Sequence, residues 1–183
     1  MDDIQFKRPE LEDQELLEGY FRKYPSRSCE RTFVNVYLWS RHYNVKFAEV
    51  CKTIIFETDG DPYAITWPVG PDENVKEALD YMIEYFQMCN LPFHMYCITP
   101  DQFEKLDKWY PGLFEIEYNR DDADYVYESE RLISLSGKKL HGKRNHINKF
   151  KALYKDWSYE SMSADNLEEC FQMALKWRNL NEC

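Results

Sequence analysis

At 183 residues, with 33 acidic against 23 basic side chains and a net charge of −10, the chain suits one substantial domain, or one domain and the start of another. Fourteen Tyr, eleven Phe and five Trp supply the apolar bulk of a packed core and exclude a disordered chain. The acidic opening, residues 1–14, has no apolar run, and no stretch holds the roughly 18 apolar residues of a membrane span, so the sequence reads as soluble and cytoplasmic.

Residues 11–23 read as a short helix stopped near Pro25, and 30–43 as a second helix that turns Phe33, Val36 and Tyr37, with Trp39 and Tyr43, inward. Strand-like runs follow at 45–50, 53–58 and 62–69, the last two joined by Asp59-Gly60-Asp61, where Gly tolerates the positive φ of a hairpin turn. Residues 74–89 are helical, with Ala78, Leu79, Met82, Phe86 and Cys89 on one face. A strand is expected at 92–98, with His94 in the core. Thr99-Pro100-Asp101-Gln102 then combines an N-cap, a proline at the first helical position and the Gln of a capping box. That helix should end near Pro111-Gly112. A strand at 113–118, a solvated acidic loop at 121–130, a strand at 157–162 and a last helix capped by Ser163, with Leu167, Phe171 and Ala174 as its apolar face, complete the chain. This order is an α+β plan with helices on the faces of a mixed sheet. Residues 181–183 bring no Gly or Pro terminator, so the chain reads as cut off before a second domain.

Metal and cofactor chemistry find little support. The six cysteines include no C-x-x-C pair and read as reduced structural thiols, with Cys51, Cys89 and Cys97 serving as small hydrophobes. Neither a nucleophile elbow, a phosphate loop nor a paired-His zinc motif occurs. The six glycines, at 19, 60, 70, 112, 137 and 142, cannot build a G-x-G turn for a dinucleotide or coenzyme A.

Positive charge is gathered in one place. Residues 132–155 hold Lys138, Lys139, Lys143, Arg144, Lys149, Lys151 and Lys155, and not one Asp or Glu. On a helix from 140 to 155, Leu140, Ile147, Phe150 and Tyr154 form a face that packs onto the protein. Arg144, Asn148, Lys151 and Lys155 form a stripe beside it. Cations so spaced suit phosphates, and Asn145 and Asn148 add donors and acceptors. The competing reading is a solvated face, matched to the chain's own acid.

Two stretches, FVNVYLWSRHYNVKFA and DADYVYESERLISLSGKKLHGKRNHINKFKALY, resemble a bacterial family of tandem acetyltransferase-like (GNAT-type) domains related to the C-terminal domain of phosphatidylglycerol lysyltransferase. Tyr125-Val-Tyr127, Leu132, Leu135, Gly137-Lys138-Lys139 and Lys143-Arg144-Asn145 carry its most distinctive signature. The resemblance implies a GNAT-like mixed sheet in a first domain over 1–135. Residues 136–183 would then be the basic helix and the start of a second domain. It further implies descent from proteins that move an aminoacyl group from tRNA to a lipid headgroup or another acceptor. Lys143, Arg144, Asn145, Asn148, Lys151 and Lys155 would contact the anionic partner, tRNA or a phospholipid headgroup, and Tyr125 and Tyr127 would touch substrate. The chain lacks the family-type pyrophosphate loop, so acetyl-coenzyme A is expected only with a second domain, and no catalytic residue is assigned. Two alternatives stand beside this reading: a GNAT-type N-acyltransferase using acetyl-coenzyme A, and a non-catalytic scaffold whose basic helix docks on acidic surface of its own second domain or a partner; a homo-oligomer contact is a further candidate partner.

Overall fold

Strands β1 (Val45–Val50), β2 (Thr53–Thr58) and β3 (Ala64–Ile65) pair antiparallel in that order, as seen in a computed structural model that describes residues 4–58, 60, 62–121, 123 and 125–181. The chain divides into two compact units, Met1–Glu117 and Tyr118–Cys183.

In the N-terminal unit, β2 is the central strand and is buried from Thr53 to Glu57, which requires cover on both faces. Alternation supplies it. Ile54 and Phe56 point with Phe47 to one side, against Leu17 and Phe21 of α1 (Gln14–Lys23) and Phe33 and Val36 of α2 (Phe33–Tyr43). On the other side Ile55 joins Ala48, Val50 and Ile65 against Ala78, Met82 and Phe86 of α3 (Asp72–Met88). A third cluster seats Leu106 of α4 (Pro100–Trp109) on Trp67, Val75 and Leu79.

The turn between β1 and β2 is Cys51-Lys52, with φ of 48° and 58°. Two consecutive left-handed residues match the right-handed twist of the flanking strands, and neither is the Gly or Asn that ordinarily announces such a turn. The expected turn at Asp59-Gly60-Asp61 cannot be placed, because Asp59 and Asp61 lie outside the described residues. Of the run 62–69 only Ala64–Ile65 is a regular strand, and Val69 returns as an isolated bridge to Ile54.

Three expected strands do not form. Residues 92–98 give a single parallel bridge, in which Ile65 N donates to His94 O at 3.1 Å and Tyr96 N to Ile65 O at 3.0 Å. Residues 113–118 and 157–162 form no strand, because alternation alone creates no ladder partner. His94, expected in the core, is exposed, as are Cys89 and Cys97. Trp39 and Tyr43 are also outside, 47% and 58% exposed. The buried line of α2 runs through Phe33, Val36 and Ser40, and these two rings lie one step round the helix from it.

The start of α4 is as expected. Thr99 Oγ1 accepts from Gln102 N at 3.4 Å, Thr99 N donates to Gln102 Oε1 at 2.9 Å, and Pro100 opens the helix. Thr99→Ala leaves an orphan donor and should lower stability by about 1 kcal/mol, read by urea denaturation. An unchanged midpoint would show that water replaces the cap.

The C-terminal unit contains α5 (Ser129–Ser134), a 3-10 turn at Lys138–Leu140, α6 (His141–Leu153) and α7 (Leu167–Leu180). Helix α5 arises within and beyond the segment read as an acidic loop. Ser163 lies ahead of α7, its Oγ accepting from Asp165 N at 3.3 Å, while Asn166 is the N-cap. Among the described residues only Leu135 and Leu140 of this unit are buried, and Leu167 and Phe171 are exposed.

Candidate functional site

Helix α6 carries most of the charge gathered in the sequence. Lys143, Arg144, Asn145, Asn148 and Lys151 lie on it, but it ends at Leu153, so Lys155 falls in the following turn and leaves the stripe. All are exposed except Arg144, which is half-buried. The first turn contains no acid, and Lys138, Lys139, Lys143 and Arg144 crowd that end. The partial positive charge of a helix N-terminus disfavours cations there, so this distribution is not one selected for helix stability.

Arg144 has a local task as well. Leu135 adopts a left-handed φ of 46°, a conformation strained for a side chain with a Cβ, and Gly137 follows at 86°. One Arg144 guanidinium nitrogen donates to Leu135 O and, at 2.9 Å, to Gly137 O. Arg144 therefore fastens the turn that starts the basic segment.

The apolar row expected to seat this helix is only partly covered. Leu140 is buried, whereas Ile147, Phe150 and Tyr154 are exposed. Phe150 instead packs on Tyr154, with ring centroids 5.0 Å apart, and on Trp157 at 6.0 Å. The cations lie against rings: Lys151 Nζ is 6.0 Å from the Trp157 centroid and Lys143 Nζ 5.6 Å from that of Tyr127. Tyr125 is stacked under Arg120 at 5.2 Å. Thus Lys143 and Tyr127 are brought together, while Tyr125 is engaged elsewhere. Asn145 is 3.3 Å from His141 Nδ1. Among the described residues no carboxylate forms an ion pair with a cation of α6, and Asp122 and Asp124 of the acidic segment lie outside them. Trp157 escaped the sequence reading because its segment was taken for a strand. The available signal was an aromatic residue just beyond a run of cations.

The N-terminal unit holds a cavity of about 390 Å³ that no sequence motif marked. Val36, Trp39, Val45 and Phe56 form apolar walls, and Arg31 and Tyr96 supply polar groups. Arg31 ends a short 3-10 turn, Cys29–Arg31, and donates to Trp67 O at 2.8 Å. Burial lowers its pKa to about 10, which still leaves it cationic at neutral pH. Burial also raises the pKa of the Tyr96 hydroxyl, which stays protonated. None of the sequence-predicted site residues lines this cavity. Trp39 and Tyr43, expected in the core, do.

Among the described residues no group of His, Cys, Asp and Glu side chains could hold a metal ion, and no helix is long and apolar enough to cross a membrane.

A family model described as the C-terminal domain of phosphatidylglycerol lysyltransferase matches residues 21–182. A crystal structure of a conserved protein of unknown function from Bacteroides thetaiotaomicron VPI-5482 is similar over 99% of this chain, with 30% identity and a TM-score of 0.78. The chain spans 61% of that protein's length. No curated protein matches it.

Proposed function

Because the chain belongs to the family of the phosphatidylglycerol lysyltransferase C-terminal domain, we propose that it is the substrate-handling part of an aminoacyl-transferase-like protein, whose helix α6 holds the phosphate backbone of tRNA. The observation that carries this reading is a set of cations beside exposed rings that, among the described residues, form no ion pair with a carboxylate. Phosphates pair with Lys and Arg, and unpaired bases stack on Phe, Tyr and Trp, so the two features together suit RNA better than a headgroup. Lys143 and Lys151 are the phosphate contacts on the helix, Lys155 adds a third cation from the turn that follows it, Asn145 and Asn148 add hydrogen bonds, and Tyr127 orients Lys143. Arg144 contributes charge while holding the turn. Tyr125 remains a proposed substrate contact.

The finer assignments belong to the same proposal. The fold is GNAT-like, supported by a sheet with helices on both faces, and the assembly is a first domain over 1–135 followed, from 136, by the start of a second. Aminoacyl-tRNA as substrate places the protein in the cytoplasm. Acyl transfer itself is assigned to no residue of this chain.

The test is binding of bulk tRNA across a salt series, with a Lys143→Glu/Lys151→Glu variant that spares the Arg144 turn. With three or four phosphates contacted, log affinity should fall with log salt at a slope of about −2 to −4, and the variant should flatten it by about 1.5 to 2. Superimposable curves, or no binding at low salt, would remove tRNA from this helix. Binding to anionic vesicles in its place would assign the stripe to a headgroup.

A further inference from the structure

We infer that the cavity of the N-terminal unit binds a small organic monocarboxylate with an apolar body, its carboxylate on Arg31 and its body against Val36, Trp39, Val45 and Phe56. This site is independent of the basic helix and of any role for tRNA.

A largely buried guanidinium is costly unless its charge and its donors are matched. Arg31 is matched only in part. One of its nitrogens donates to Trp67 O at 2.8 Å, and among the described residues no carboxylate forms an ion pair with it. The charge of its neighbour Glu30 favours the cation but makes no ion pair with it, the carboxylate instead accepting from Asn35 Nδ2 at 3.3 Å and lying 3.9 Å from Cys29 Sγ. The planar fork of an arginine is shaped for two parallel hydrogen bonds to a carboxylate. Tyr96 keeps its proton and offers a further donor, and Thr66 and Thr99 add hydroxyls to the lining.

Charge selects among anions. Arg31 is the one cation lining the cavity among the described residues, and Glu30 stands on the same wall. A phosphate dianion would meet a single positive group and a like charge, whereas a monocarboxylate meets its match. Glu30 also leaves room for an ammonium on the same ligand. Volume limits size: about 390 Å³ lies near the lower end of the 300–1,000 Å³ usual for small-molecule sites. The walls are mostly apolar, so the remainder of the ligand is hydrocarbon or aromatic.

The experiment is calorimetric titration of the full chain with 3-phenylpropionate, phenylalanine, 2-phenylethylamine and inorganic phosphate. At least one of the two carboxylates should bind, and the amine and phosphate should not. Tighter binding of phenylalanine would also support the site and would assign the ammonium to Glu30. Arg31→Lys keeps the charge but removes the fork, and should weaken binding by about tenfold or more. If that variant fails to fold, Trp39→Ala decides: its half-exposed ring can be removed without opening the core, and carboxylate binding should weaken. The inference is overturned if neither carboxylate binds at millimolar concentration, if the amine or phosphate binds as well as they do, or if Trp39→Ala leaves carboxylate affinity unchanged.

Discussion

Phe86→Ala should lower the stability of the N-terminal unit by about 3–5 kcal/mol, the range for truncating a buried aromatic side chain. The Phe86 ring is fully buried, and its centroid lies 5.1 Å from Tyr63 and 5.0 Å from Phe93, the latter met edge-on at 71°. It fills the layer between α3 and the face of the sheet formed by Ala48, Val50, Ile55 and Ile65. Two of its neighbours in that layer are alanines, Ala48 and Ala78, which cannot swing into the space left behind. Most of the void should therefore persist. Native domains are stable by about 5–15 kcal/mol in all, so the loss is a large fraction of the total. Urea denaturation checks it, through a reduced midpoint at an unchanged slope. Phe86→Leu retains most of the volume and should cost under about 1.5 kcal/mol. The exposed Phe150 provides the control: its replacement by alanine should change stability by no more than about 0.5 kcal/mol. A cost near 1 kcal/mol for Phe86→Ala would show that the layer collapses, and that the core does not depend on this ring.

Gly70→Ala should cost about 1–3 kcal/mol, although it adds one methyl group at a position that is not fully buried. A Cβ there would stand 2.7 Å from Thr53 Cγ2, 3.1 Å from Thr53 Cβ and 3.2 Å from Lys52 O. None of these atoms yields easily. Thr53 is fully buried and its Oγ1 donates to Val50 O at 2.8 Å, so rotating Cγ2 out of the way sacrifices a buried hydrogen bond. Lys52 is held in the left-handed turn that joins β1 to β2. The close approach follows from the bridge between Val69 and Ile54, which draws residue 70 against the strand. A double-mutant cycle tests the cause. In a Thr53→Ser background, which lacks Cγ2 but keeps the hydroxyl, the cost of Gly70→Ala should fall without vanishing, because Cβ and Lys52 O remain. Equal costs in both backgrounds would rule out the steric account.

Elements whose signal is local were read correctly. The strands at 45–50 and 53–58 have the expected bounds, and α3 begins two residues before the expected 74–89 and ends one residue early. The capping box at Thr99 and Gln102 was legible because both partners of each hydrogen bond lie within four residues. The turn at Cys51-Lys52 was not, since its residue types give no sign of a positive φ. The stretch 132–155 was correctly picked out as a concentration of charge, yet its helix is shorter than expected. The rings that accompany the charge, Trp157 above all, were seen only in three dimensions.

The amino-acid sequence by itself determined the α+β character, the helices with clear periodicity and caps, and the acid-free basic segment with its family resemblance. Each of these is encoded by residues within one or two helical turns of one another. The tertiary structure decided which alternating runs found a ladder partner, which apolar residues were covered, and that Arg144 would clasp Leu135 and Gly137. It also decided the cavity, whose lining comes from 26–45, from Phe56, Thr58 and Thr66, and from 96–102. No local pattern specifies that meeting, because it is the packing of α2 and the sheet that brings Arg31, Trp39, Phe56 and Tyr96 to one place.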